Sequence, residues 1–188
     1  LVALAIAISH TAACSGPAPL PEGATPMRAV AYRCYGPPEV LALEQVAKPV
    51  PAEDEVLVKV HVAAVNPLDW HYMRGEPYVM RLMAGIGAPA NERIGVDFAG
   101  TVEAVGAKVT KFKPGDEVYG GRTGALADYV VVREQRAIVH MPPGISHEQA
   151  AAVPIAAVTA LQGLRDQGRL QPGQRVLVNG ASGGVGTF

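Results

Sequence analysis

The sequence predicts an α/β chain in two parts: a small β-barrel, then helices that lead into the first strand and turn of a parallel βαβ sheet. Three observations carry this. Short apolar strands separated by Gly- and Pro-containing turns follow one another closely from residue 28 to residue 132. At Ser146 the period changes to that of alanine-rich helix. The chain then ends on Val176-Leu177-Val178-Asn179-Gly180-Ala181-Ser182-Gly183-Gly184-Val185-Gly186, a β-branched run entering a glycine-rich turn.

The first 26 residues differ from the rest. An apolar run over 1–8 is followed by Ser9-His10-Thr11-Ala12-Ala13-Cys14 and a Pro-rich stretch over 17–26. Two readings stand. One is a secretory or lipoprotein-type signal with Cys14 as the lipid site, although Thr11 sits where leucine is usual. The other is a mis-assigned leader, with Met27 as the true start. The run is too short to span a bilayer. The chain opens on Leu1 and stops at Phe188, and truncation at both ends is expected.

From Met27 the elements follow in order. Residues 28–35 read as a strand closed by Gly36-Pro37-Pro38, and 40–46 as a second. Residues 55–65 alternate apolar and polar, as a half-buried strand should. A short helical turn is expected over 70–74. Segments 94–105, 117–119 and 128–132 are further strands, with Lys113-Pro114-Gly115-Asp116 and Gly120-Gly121 as turns. Ser146 and Gln149 have capping-box spacing. Pro154 opens a helix expected to run to about Gln167, with Gly168 as its stop. Gln171-Pro172-Gly173-Gln174 is a turn before a strand over 176–178. Domain limits are placed at 1–26 for the leader, 27–150 for the barrel and 151–188 for the linking helices, strand and glycine turn.

Composition excludes several functions. The net charge is −1, so nothing favours nucleic acid or an acidic membrane surface. Hydrophobic residues make up 49% of the chain, enough for a core, and 21 Gly with 16 Pro fit a turn-rich barrel. Two cysteines, Cys14 and Cys34, build neither a disulfide framework nor a four-cysteine zinc site.

The terminal motif carries the chemistry. Ala181-x-Gly183-x-x-Gly186 overlays a dinucleotide fingerprint with its first glycine replaced by alanine. Absent side chains let backbone N–H groups approach a pyrophosphate, and the helix that follows adds its positive end. Such turns also join strands in proteins that bind nothing.

The order of Asn66-Pro67-Leu68-Asp69, Gly95-Val96-Asp97-Phe98-Ala99-Gly100, Phe112-Lys113-Pro114-Gly115-Asp116-Glu117-Val118, Gly124-Ala125-Leu126-Ala127-Asp128-Tyr129, Ala150 to Pro154 and the glycine turn resembles the medium-chain dehydrogenase/reductase superfamily, in its zinc-independent quinone oxidoreductase-like branch. The resemblance covers residues 27–188. It implies a GroES-like barrel joined to a Rossmann domain, most of it absent here, with the active site between them. It implies NADPH or NADH as cofactor, a quinone or enone as small-molecule substrate, cytoplasmic location and a homo-oligomer when complete.

The zinc alcohol dehydrogenases of the same superfamily hold their metal with two cysteines and a histidine. Those positions fall here on Asn66, Val96 and Ile155, and their four-cysteine structural lobe is missing. Asp97, His61 and His71 lack partners at ligand spacing, so no metal is expected. Without a Lewis acid, quinones and activated alkenes are the fitting acceptors, because their developing charge is delocalised and can be met by hydrogen bonds. Asn66 is expected to face nicotinamide and substrate, or else to be a turn residue. Asp69 orients it or caps the helix behind it. Tyr78 lies one residue out of step with a proton-donating tyrosine of some enoyl reductases; like Tyr72 it also reads as a pocket-wall or core aromatic. Thr159 is expected near nicotinamide, or bonded to its own helix. Asp97 is expected to be buried and structural. Gly180, Ala181, Ser182, Gly183, Gly184, Val185 and Gly186 are the pyrophosphate contacts. A non-catalytic NADPH-binding protein and an alcohol dehydrogenase of the same superfamily are the alternatives.

Overall fold

The computed structural model describes residues 16–17 and 19–188. The apolar run, Cys14 and most of the expected leader lie outside the described residues.

Strands β1 (Pro26–Ala31) and β2 (Ala42–Ala47) pair antiparallel in one hairpin, with a 3-10 turn at Pro38–Val40 between them. Five further strands form one antiparallel sheet in the order β6-β3-β4-β5-β7: β3 (Glu55–Ala64), β4 (Asp97–Val105), β5 (Glu117–Gly121), β6 (Tyr129–Arg133) and β7 (Ile138–His140). The hairpin joins this sheet edge-on. Val30 N–H donates to the Leu126 carbonyl at 2.8 Å and Asp128 N–H to that of Arg28 at 2.9 Å. The sheets therefore curl around one core of Val56, Val58, Phe98, Val102, Val118 and Val132, each at most 2% exposed. Gly100 fixes how closely β3 and β4 approach; a Cβ there would lie 2.0 Å from the Lys59 carbonyl oxygen.

Strand Asp97–Val105 buries both faces over most of its length. On its outer side Ala99 packs against Ala150 and Ala151 of helix α3 (His147–Ala151). The Ser146–Gln149 capping box forms as the spacing predicts, with Ser146 N–H to Gln149 Oε1 at 2.9 Å and Gln149 N–H to Ser146 Oγ at 3.3 Å. Helix α1 (Pro67–Arg74) starts three residues earlier than expected, because Asn66 takes the N-cap and Pro67 the first turn. A short helix α2 (Arg81–Ala84) and strand Ile138–His140 were not anticipated; both are too short to show a period. Helix α4 (Pro154–Leu161) continues as a π-helical turn over Gln162–Gln167, close to the expected end.

Two expectations fail. Gly120-Gly121 is not a turn but the end of β5, where Gly120 pairs with Phe98 and Ile138 and Gly121 with Asp97; a Cβ at Gly120 would lie 2.1 Å from the Ala137 carbonyl oxygen, so the glycine serves close strand approach. Residues 176–178 are not a strand. The run has no neighbouring strand to complete its hydrogen-bond ladder, and Val176, Leu177 and Val178 stand 48%, 94% and 49% exposed. Beyond it the chain coils through turns, and Thr187 N–H reaches the Gly183 carbonyl at 3.0 Å, one helical turn after the glycines.

Candidate cofactor and substrate cleft

Asp97 is the node of the site. It is fully buried at the start of β4. Its Oδ2 accepts from Asn66 Nδ2 at 3.1 Å and from the backbone N–H of Ile155 at 3.1 Å. Ile155 is the second residue of α4, where helical N–H groups have no partner within the helix. One carboxylate thus ties the start of α1 and the start of α4 to the central strand. Burial pushes the Asp97 carboxyl up, the Ile155 and Asn66 donors pull it down, and the nearby Asp69 adds a further upward push. Its Oδ1 has no partner among the described residues.

Asn66 is held from a second side. Asp69, 3% exposed, accepts the Asn66 backbone N–H at 2.7 Å, and Asp69 N–H donates back to the Asn66 carbonyl at 3.0 Å. Burial raises the Asp69 carboxyl, against the N–H groups of Asn66 and Gly95. Asp69 therefore caps α1 by fixing the Asn66 backbone, and it is not among the residues that line the cleft.

The cleft itself is a cavity of about 810 Å³. Asn66 and Pro67 form one wall, Ile155 and Thr159 of α4 another, and the glycine turn a third. Gly180, Gly183, Gly184, Val185 and Gly186 line it; Ala181 and Ser182 are not among its lining residues. The demanding glycines are Gly180, at φ +76°, and Gly186, where a Cβ would lie 2.3 Å from the Gly180 carbonyl oxygen. At Gly184 a Cβ would meet nothing within 4 Å, and at Gly183 only the Gly180 oxygen at 3.4 Å. The fingerprint spacing does not by itself rank these glycines; the closed turn does.

Tyr78 is not brought to this cleft. It is 71% exposed, with the Arg81 guanidinium 4.8 Å from its ring centre. The reading of Tyr78 as a core aromatic is corrected on this ground: the 3-10 turn Tyr78–Met80 leaves it exposed. Tyr72 is half-buried on α1. The positions of Asn66, Val96 and Ile155 do converge around Asp97, but they offer one amide and two aliphatic side chains, a donor set that does not fit zinc. His71 Nδ1 is engaged with the Glu76 carbonyl at 2.7 Å, and His61 Nε2 with Thr101 Oγ1 at 2.8 Å. Among the described residues no group of three His, Cys, Asp or Glu is placed to hold a metal. The Ile155 N–H was not foreseen as part of the site. The signal for it was Pro154, which marks the helix start and so the orphan donors behind it.

Residues 52–143 match the alcohol dehydrogenase GroES-like domain. The chain is 38% identical over 173 residues to the 2-methylene-furan-3-one reductase of Solanum lycopersicum, covering 86% of this chain and 42% of that protein. It is 40% identical over 163 residues to the quinone oxidoreductase of Mus musculus, covering 85% of this chain and 47% of the relative. The solved quinone oxidoreductase from Coxiella burnetii superposes with a TM-score of 0.77 at 31% identity, over 87% of this chain and 51% of that one. The chain thus spans about half the length of the relatives it matches. A GroES-like barrel in a mixed α/β chain is the fold that the resemblance implied.

Proposed function

We propose that this chain, which belongs to the medium-chain dehydrogenase/reductase superfamily on its quinone oxidoreductase-like branch, supplies the substrate side and the first cofactor contacts of an NAD(P)H-dependent reductase of quinones or activated alkenes. The observation that carries the reading is that Asn66, Thr159 and the glycine turn share one cavity although 93 residues separate Asn66 from Thr159 in the chain. A nicotinamide cofactor fits these residues: Gly180 and Gly184 line the cleft and leave main chain uncovered, since a Cβ at either would meet nothing within 4 Å, which suits a pyrophosphate, and Thr159 and Asn66 on the facing walls suit the ring.

When bound, the cofactor supplies a hydride; the remaining work falls to the chain. Asn66 spends one Nδ2 hydrogen on Asp97 and keeps the other, with Oδ1, for the cleft. That N–H meets the negative charge that develops on an acceptor carbonyl oxygen, in place of a metal. Asp97 fixes the amide from behind and Asp69 fixes its backbone, so the donor is set before substrate arrives. The proton that completes the reduction comes from solvent through the open cavity. Thr159 presents a hydroxyl for the carboxamide of the cofactor. NADPH and NADH are both served by these residues. We place the protein in the cytoplasm, where reduced cofactor is supplied, and assign it no nucleic-acid partner. Among the described residues no helix is long and apolar enough to cross a membrane.

The test is steady-state oxidation of NADPH and NADH by the native protein with a panel of quinones and enones. Turnover with an acceptor is expected. Tight cofactor binding with no turnover on any acceptor would instead mark a non-catalytic cofactor-binding protein.

A further inference from the structure

The cleft does not end at Ile155. On the far side of that residue lies a second cavity of about 460 Å³, walled by Tyr119, Val139, Pro154, Ile155 and Val158 and almost wholly apolar. Val96, Gly121 and Ala137 close its other end, and the same three residues open a third cavity of about 450 Å³. Its rim holds Arg122, just past β5, with Arg133 at the end of β6 and Arg136 from the turn between β6 and β7. The main chain builds this rim: Arg122 N–H donates to the Val96 carbonyl at 2.7 Å, and Arg136 N–H to that of Arg133 at 2.9 Å.

The charge there is uncompensated. Arg133 has an acid partner, Asp54, at 3.7 Å. Arg122 and Arg136 are in no ion pair among the described residues. Glu55 is the one acid on the rim, and its Oε2 is taken by the Ala52 N–H at 3.1 Å. Three adjoining compartments result, with Ile155 and then Val96, Gly121 and Ala137 as their shared walls: an amide-lined head beside the glycine turn, an apolar middle, and a cationic end. Guanidinium groups with free N–H forks favour carboxylate, sulfonate or phosphate oxygens.

We propose that Arg122 and Arg136 select acceptors that carry an anionic group, joined by an apolar or aromatic body to the conjugated carbonyl that is reduced at Asn66. The proposal deepens the reductase reading and rests on it for the reaction, but the anion pocket is testable without turnover.

Two measurements on the native protein decide it. The first compares kcat/KM for 1,2-naphthoquinone-4-sulfonate and for 1,2-naphthoquinone. The wild type is expected to prefer the sulfonate by about tenfold, the effect of one good charge-assisted contact, and R122Q/R136Q to bring the ratio near one. Equal use of both quinones by the wild type, or a preference that survives in the double variant, overturns the proposal while leaving the reductase reading intact. The second needs no chemistry. It titrates the anionic dye 1-anilinonaphthalene-8-sulfonate against neutral N-phenyl-1-naphthylamine by fluorescence. The ratio of the two affinities should fall about tenfold in R122Q/R136Q. An unchanged ratio overturns the anion pocket. If neither quinone turns over but the dye ratio falls, the reductase reading fails and the pocket stands. Both arginines are exposed, so the variant should fold; an unchanged thermal melt confirms that the ratios report binding.

Discussion

The tripeptide Val-Leu-Val occurs twice in this chain, with opposite outcomes. At 56–58 it is the middle of β3, with exposures of 0%, 4% and 0%. At 176–178 it is extended chain outside any sheet, at 48%, 94% and 49%. Intrinsic β propensity is the same in both, so propensity does not decide between them. Partners do. The first copy lies between β4 and β6, with Val56 opposite Val105 and Val132. The second has no strand on either side. Its glycine turn is nevertheless formed, because the Gly183 N–H to Gly180 carbonyl bond at 3.0 Å and the close approach at Gly186 are local. A turn can be set by its own few residues; a strand cannot.

Substitutions should separate the two copies. Val58→Ala opens a gap beside Phe98 and Val118 in a core without access to water, and should cost about 2–3 kcal/mol in urea unfolding. Val178→Ala should change stability by less than about 0.5 kcal/mol. Equal effects would show that the C-terminal run is packed in solution, and the contrast drawn from exposure would then break.

The node between the two regions gives the next effect. Asp97→Ala leaves the Ile155 N–H and the Asn66 amide without their acceptor, at a cost of about 2 kcal/mol. Asp97→Asn keeps an acceptor oxygen and removes a buried charge, so its cost should stay below about 1 kcal/mol. If the two variants are equally damaging, the charge matters here and not the acceptor.

Stability against pH sharpens the comparison further. The folded carboxyls of Asp97 and Asp69 lie above the ordinary value of 3.8. Their contribution is complete below 3.8 and is lost as pH rises through the raised folded values. Asp97→Asn should flatten that part of the profile. His61 acts the other way. Burial, then His147 and Lys59, lower its pKa from 6.5, so its contribution is present above 6.5 and is lost as pH falls through the lowered value. Since His61 is exposed the effect is small, and His61→Gln should flatten the curve just below 6.5 without moving its upper limb.

Much of the barrel was legible in the sequence because its strands alternate around well-marked turns, and the helix caps because Ser146 with Gln149 and Pro154 announce themselves. Strand Ile138–His140 was not, since three residues carry no period. The convergence of Asn66 with Asp97 was legible only through the resemblance; nothing local places residues 31 positions apart in hydrogen-bond contact. The Ile155 N–H was hidden because its side chain drew attention and its backbone made the bond. Tyr78 does not join the core for the converse reason: its aromatic side chain suits a core, but its turn leaves it exposed. The arginine rim draws on three residues, one past β5, one ending β6 and one in the turn after it, and no spacing rule joins them.

Asn66, fixed by Asp97, is proposed to serve in a reduction by NAD(P)H at a position where the zinc alcohol dehydrogenases hold their metal. The most direct measurement is quinone reduction by the native protein before and after exhaustive dialysis against a strong chelator. The predicted result is a rate preserved within about twofold, with well under one zinc per chain, since losing a catalytic metal would remove several kcal/mol of transition-state stabilisation. Activity abolished by the chelator and restored by zinc would contradict the ligand reading and the assignment built on it.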